Sequence, residues 1–173
     1  LVPHLKSKNR VLVTAVLKAL GKIGGTNAAK VLLQARNDIP LALFPLRRDA
    51  LLCCADQFLL QGKRESALPL YREFSREDRP AHIQCAALSG LLSCLDHEKA
   101  CLEISALLKG ENQLFQKAVY RSVSSFVSPD VIADLCERIA SFPAPVQAQL
   151  IDALSFRRTP EVVAEVIELA SHK

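Results

Sequence analysis

The chain has 173 residues, of which 50% are apolar and 23% are charged, and its formal net charge is +4. This length and apolar content predict one folded domain with a substantial core and exclude a disordered chain. Charged residues interrupt the longest apolar runs, and the N-terminus lacks the pattern of a signal peptide, so we expect no membrane insertion.

Amphipathic helix patterns follow one another along the chain in pairs. The first helices are predicted in "NRVLVTAVLKALGKIGG" from Asn9, "LRRDALLCCADQFLLQG" from Leu46 and "RPAHIQCAALSGLL" from Arg79. The second helices are predicted in "TNAAKVLLQAR", "KRESALPLYREF" and "DHEKACLEISALLKG", after turns at Gly24 and Gly25, Gly62 and Asp96. Each pair is therefore expected to form a helical hairpin.

The C-terminal third repeats one pattern, because "SPDVIADLCERIAS" at 128–141 is matched 31 places later by "TPEVVAEVIELASH" at 159–172. Each copy opens with Ser or Thr followed by Pro, the order expected of an N-cap and a first helical residue. Apolar residues then recur at helical spacing. An earlier amphipathic helix precedes each copy, one around Val119 and one around Leu150. These segments predict two more hairpins.

A single hairpin cannot bury its own apolar face, so we predict that the hairpins stack. The predicted fold is all-α: a right-handed α-solenoid of about five antiparallel hairpins, forming one domain over residues 1–173. The predicted repeats are 9–37, 41–76, 79–109, 111–141 and 143–172. Because methionine is absent even at position 1, we expect this domain to be part of a longer protein.

The first helix of the third hairpin resembles that of HEAT repeats, through Pro80, Ile83, Ala86, Ala87 and Leu91. The segment "ALGKIG" at 19–24 is similar to the helix end of short bacterial HEAT-like repeats, which also occur in phycobilisome lyases. The resemblance covers most of residues 9–172. It departs from the family at Gln84, where arginine is common, and in the turns, where the family aspartate is present only as Asp96. Tetratricopeptide and armadillo arrays are the neighbouring alternatives, but the chain has no tryptophan.

The resemblance implies an interaction scaffold more readily than an enzyme, because such arrays mostly present a long surface to partners. The di-iron hydroxylases of the family use several His-Glu pairs, whereas this chain has only His97 with Glu98, which we interpret as solvent-exposed. The phenylalanines that a DNA-repair relative would use fall on apolar stripes here. Phycobilin lyase activity has no supporting motif. We therefore expect no catalytic residue, metal or cofactor.

The six cysteines are interpreted as buried thiols, since most lie where a packed helix needs a small apolar residue. No CxxC is present, so a zinc site of paired near neighbours is not expected. Cys94 and Cys101, on either side of a turn, are the pair best placed to meet. The thiols favour a cytoplasmic location, although similar repeats are attached to exported bacterial proteins.

Charge changes sign along the chain, with a net of +7 in residues 1–80 and −3 in residues 81–173. On the second helices, the expected partner-binding surface combines an acidic ladder with a basic group. The ladder comprises Asp130, Asp134, Glu137, Glu161, Glu165 and Glu168, and the basic group comprises Lys63, Arg64, Arg72 and Arg76. A solvated face would carry the same pattern. The resulting hypothesis is a non-enzymatic scaffold that binds an unknown protein or peptide, and the alternative is nucleic-acid binding through the basic half.

Overall fold

A computed structural model describes residues 1–76, 79–125, 127–157 and 167. Within these residues the chain is helical, without a strand, which confirms the predicted all-α class. Nine α-helices are described: α1 (Arg10–Ile23), α2 (Gly25–Gln34), α3 (Phe44–Leu60), α4 (Arg64–Phe74), α5 (Ala81–Cys94), α6 (His97–Lys109), α7 (Gln113–Ser125), α8 (Pro129–Glu137) and α9 (Ala144–Ser155). Each described helix is too short or too polar to cross a membrane.

Polar side chains cap the starts of three described helices. The side chains of Asn9, Asp96 and Asn112 accept hydrogen bonds from backbone N–H groups in the first turns of α1, α6 and α7. Pro129 is at the first position of α8, as predicted, although the Ser128 side chain makes no capping hydrogen bond. The matching Thr-Pro pair and, apart from Ile167, the second helix of the last predicted repeat lie outside the described residues.

The first compact unit, Leu1–Glu73, contains α1 to α4. A turn at Gly24, whose φ of 62° favours glycine, joins α1 to α2, and α3 packs against both helices. The buried Arg47 guanidinium donates through Nε and Nη2 to the backbone carbonyls of Leu32 and Leu33. These carbonyls lie in the last turn of α2, where no N–H group of the same helix can donate to them. Arg47 supplies hydrogen bonds in their place.

The second compact unit, Phe74–Lys173, contains α5 to α9. In this unit α7 packs against both α5 and α9, while α6 packs against α5, α7 and α8. The hydroxyls of Ser89 and Ser122 lie 2.9 Å apart and join α5 to α7. Arg157 Nε donates to the Val123 carbonyl at the end of α7, at 2.6 Å. Within this unit, the first helices of successive predicted pairs, α5, α7 and α9, contact one another in order. The second helices α6 and α8 also contact each other.

Candidate functional site

Three members of the predicted acidic ladder are described, and all three lie on α8. Asp130 and Glu137 are exposed on α8, whereas Asp134 is only half-exposed and faces α6. The other three acidic residues, Glu161, Glu165 and Glu168, lie outside the described residues. The Asp134 carboxylate is held by neighbouring side chains, which distinguishes it from the exposed Asp130 and Glu137.

Three side chains meet at one carboxylate oxygen, Oδ2 of Asp134. His97 Nε2 lies 2.9 Å from it, Cys101 Sγ lies 3.5 Å from it, and Arg138 Nη2 also lies 3.5 Å from it. His97 is exposed, as interpreted from the sequence, and its imidazole also contacts this carboxylate. His97, Cys101 and Asp134 form the cluster defined here as the α6–α8 cluster.

Local structure explains how the α6–α8 cluster forms. The N-cap at Asp96 starts α6 at His97, and Cys101 follows one turn later on the same helix face. One turn after Cys101, on the same face of α6, Ile104 is fully buried. This face of α6 therefore packs into the core beyond Cys101. On α8, the fully buried Leu135 fixes the rotation of the helix and leaves Asp134 at the edge of the contact with α6.

The cluster changes the acidity of its members. The hydrogen bond from His97 is the largest cause that lowers the pKa of Asp134, and the contacts with Cys101 and Arg138 lower it further. Burial raises the pKa of Cys101 to about 11, and the hydrogen bond to the negative Asp134 carboxylate adds to this effect. A nucleophilic cysteine requires a lowered pKa. The geometry therefore does not favour a Cys-His catalytic pair, and at neutral pH Cys101 is a protonated thiol that donates to Asp134.

The chemistry of the cluster differs from that of an ordinary salt bridge. Imidazole nitrogen, cysteine sulfur and carboxylate oxygen are the three kinds of atom that bind zinc in proteins. Among the residues that the structure describes, these three are the single group of at least three His, Cys, Asp or Glu side chains whose ligand atoms lie within 4.8 Å of one another.

Sequence reasoning missed this cluster because it examined each helical hairpin separately. His97 was paired with Glu98, and Cys101 with Cys94, whereas the structure joins both to a carboxylate in the next hairpin, 37 residues after His97. A signal was nevertheless present, since His97 and Cys101 are four residues apart and share one helix face.

The predicted basic residues are exposed but are not all on one helix. Arg64 and Arg72 are within α4, while Lys63 precedes it and donates to the Gln61 side chain at 2.9 Å. Arg76 follows α4 and belongs to the second compact unit. The first unit therefore presents three of the four predicted basic side chains to solvent.

The six cysteines are present as thiols, of which Cys54, Cys94, Cys101 and Cys136 are buried. This burial confirms the predicted role for those four residues. Cys85 is half-buried and Cys53 is exposed, so the prediction of buried thiols is wrong for Cys53.

Alkylation should therefore be selective in the folded chain. Iodoacetamide is expected to modify Cys53 first and Cys85 second, and to reach the four buried thiols only after unfolding. Burial raises the pKa of both Cys53 and Cys85, so both reactions should accelerate as the pH rises above neutrality. Intact-mass and peptide mass spectrometry would follow the order of modification. Thiols that remain unmodified in denaturant until a reductant is added would instead indicate disulfides and an oxidising compartment.

The described surface thus offers one cluster with distinctive chemistry, formed by α6 and α8, and separate charged groups on α4 and α8. Comparison of the chain with protein-family models, with curated protein sequences and with solved structures found no match.

Proposed function

We propose that this chain is a non-enzymatic, HEAT-like α-solenoid that binds a protein partner through the exposed surface of its second helices. The observation that carries the proposal is the order of helix contacts in the second unit. There α5, α7 and α9 contact one another in succession, and α6 contacts α8. Stacked hairpins produce this pattern, because each pair covers the apolar face of the next.

The surface of α6 supports a role in binding. Glu98, Leu102, Ala106 and Lys109 are exposed and follow one another at helical spacing along a single face. Leu102 is 59% exposed, so this face of α6 presents an apolar side chain between the charged Glu98 and Lys109. On the adjacent α8, Asp130 and Glu137 are exposed and carry negative charge. The complementary partner is a basic peptide segment with an apolar side chain that covers Leu102.

A peptide library displayed on phage, selected on the immobilised full chain, should therefore yield sequences rich in Lys and Arg around an apolar residue. Because exposed charges act mainly on association, the double change Asp130→Lys with Glu137→Lys should slow binding of a selected peptide by about tenfold. Surface plasmon resonance at low and high salt would measure the association rate and its salt dependence.

The double change Glu111→Lys with Asp152→Lys provides a matched control, since it alters net charge equally at two other exposed acidic residues of the second unit. Equal effects of the two double variants would contradict recognition by α8. The alternative is nucleic-acid binding through the exposed basic residues at the start of α4. It would be favoured if the chain bound a short DNA duplex more tightly than any selected peptide and lost that binding in the variant Lys63→Glu with Arg64→Glu.

A further inference from the structure

We propose that His97, Cys101 and Asp134 form a binding site for Zn²⁺ or a similar borderline-soft divalent cation. The site is independent of the peptide-binding function proposed above. Its ligand atoms would be His97 Nε2, Cys101 Sγ and Asp134 Oδ2, one nitrogen, one sulfur and one oxygen. Three protein ligands leave a fourth tetrahedral position for water.

The two distances from Asp134 Oδ2 are close to those of a tetrahedral zinc site, and all three ligand atoms lie within 4.8 Å of one another. Zinc bonds of about 2.0 to 2.3 Å require ligand atoms to lie about 3.3 to 3.6 Å apart. The separation between Cys101 Sγ and Asp134 Oδ2 is already 3.5 Å. His97 Nε2 lies closer to the same oxygen, at 2.9 Å, because the two atoms share a hydrogen bond. Replacing that proton with a cation requires the imidazole to withdraw by roughly half an ångström, which rotation of a side chain provides.

The three side chains differ in exposure in a way that suits cation entry. Cys101 is buried and held by helix packing, so its sulfur has a defined position. The His97 side chain is 43% exposed and that of Asp134 is 30% exposed, so the site opens toward solvent on the imidazole side. A cation can therefore enter without disturbing the core, and the Cys101 thiol would release its proton to solvent as the thiolate binds.

The choice of atoms indicates which cations the site would accept. Sulfur and imidazole nitrogen favour Zn²⁺ and its spectroscopic substitute Co²⁺, whereas Mg²⁺ and Ca²⁺ prefer sites made of oxygen atoms alone. Arg138 Nη2, 3.5 Å from the same carboxylate oxygen, opposes a cation by charge. Its side chain is 48% exposed and is able to turn away into solvent.

The competing explanation is a hydrogen-bonded link that stabilises the contact between α6 and α8 without metal. Co²⁺ titration of the full chain under reducing conditions distinguishes the two. A metal site predicts a near-ultraviolet thiolate-to-cobalt absorption band together with visible bands of tetrahedral Co²⁺, both removed by stoichiometric Zn²⁺.

The ligand variants define the expected losses. Cys101→Ala should abolish the thiolate band, and His97→Asn or Asp134→Asn should each weaken Zn²⁺ binding by more than about tenfold in competition with a chromophoric chelator. Cys53→Ala and His82→Asn are the matched controls, since they remove an exposed thiol and an exposed imidazole elsewhere and should leave binding unchanged. Arg138→Gln should tighten binding a few-fold, which a hydrogen-bonded link would not explain.

A thiolate band that persists in Cys101→Ala, or Zn²⁺ affinity that is unchanged in His97→Asn, would overturn the metal site and leave the hydrogen-bonded link. Absence of any saturable cobalt band in the wild-type chain would do the same. Circular dichroism checks that each variant is folded. If Cys101→Ala loses helical structure, His97→Asn decides the outcome, because it alters an exposed side chain at the start of α6.

Discussion

Leu135→Asp is expected to lower the free energy of unfolding of the second unit by at least about 4 kcal/mol. The Leu135 side chain is fully buried on α8, with 0% of its surface exposed. The change removes an apolar side chain from the core and places a carboxylate at a fully buried position, where desolvation penalises its charge. A loss of this size is a large fraction of the stability of an ordinary domain.

Urea unfolding followed by circular dichroism would measure the effect, and Glu137→Ala on the same helix is the control. Glu137 is exposed, so its replacement should change stability by no more than about 0.5 kcal/mol. The neighbouring Asp134 is unsuitable as a neutral control because of its contacts with His97, Cys101 and Arg138. Similar losses for Leu135→Asp and Glu137→Ala would show that the rotation of α8 is different from the one described.

Gly21→Val is expected to destabilise the first unit by about 2 to 3 kcal/mol through overpacking. Gly21 is in the last turn of α1, where the helix approaches α3 closely. A Cβ atom at this position would lie 2.9 Å from the Cα atom and 3.1 Å from the Cβ atom of Ala50. The nearest atom belongs to the backbone of α3, so relief requires the two helices to move apart.

The variant Gly21→Ala separates packing from helix propensity. In an exposed helix position alanine is more stable than glycine by about 1 kcal/mol, whereas the contact with Ala50 opposes this gain. We therefore expect Gly21→Ala to be neutral or destabilising, and Gly21→Val to be worse. Lys22→Val, at the exposed neighbouring position, should cost only about 0.5 kcal/mol through propensity. A Gly21→Ala chain that gains the full propensity difference in urea unfolding would contradict the close approach.

The helices were predictable because their signals are local. Asn9 and Asp96 cap helices with their own side chains, and Pro129 occupies a first helical position. Gly24 turns the chain at a positive φ. Each signal acts within a few residues, so the sequence predicts four of the helical pairs and the first helix of a fifth with nearly the observed bounds.

The α6–α8 cluster was not predictable in the same way. The separate helical patterns predict that Leu135 is buried, and the structure confirms it. They do not predict which neighbouring helix faces Asp134, since that depends on how far α8 is rotated and shifted along α6. A rotation by one residue position, about 100°, would direct the carboxylate away from His97.

The sequence by itself thus determined the all-helical class, the approximate bounds of the helices and the burial of most apolar side chains, because periodicity, caps and turn residues are encoded locally. Only the tertiary structure decided that Gly21 meets Ala50 and that Asp134 meets His97 and Cys101. These contacts join residues about 30 to 40 positions apart, and their geometry depends on the packing of whole helix surfaces, in which many weak contacts jointly select one rotation and one spacing.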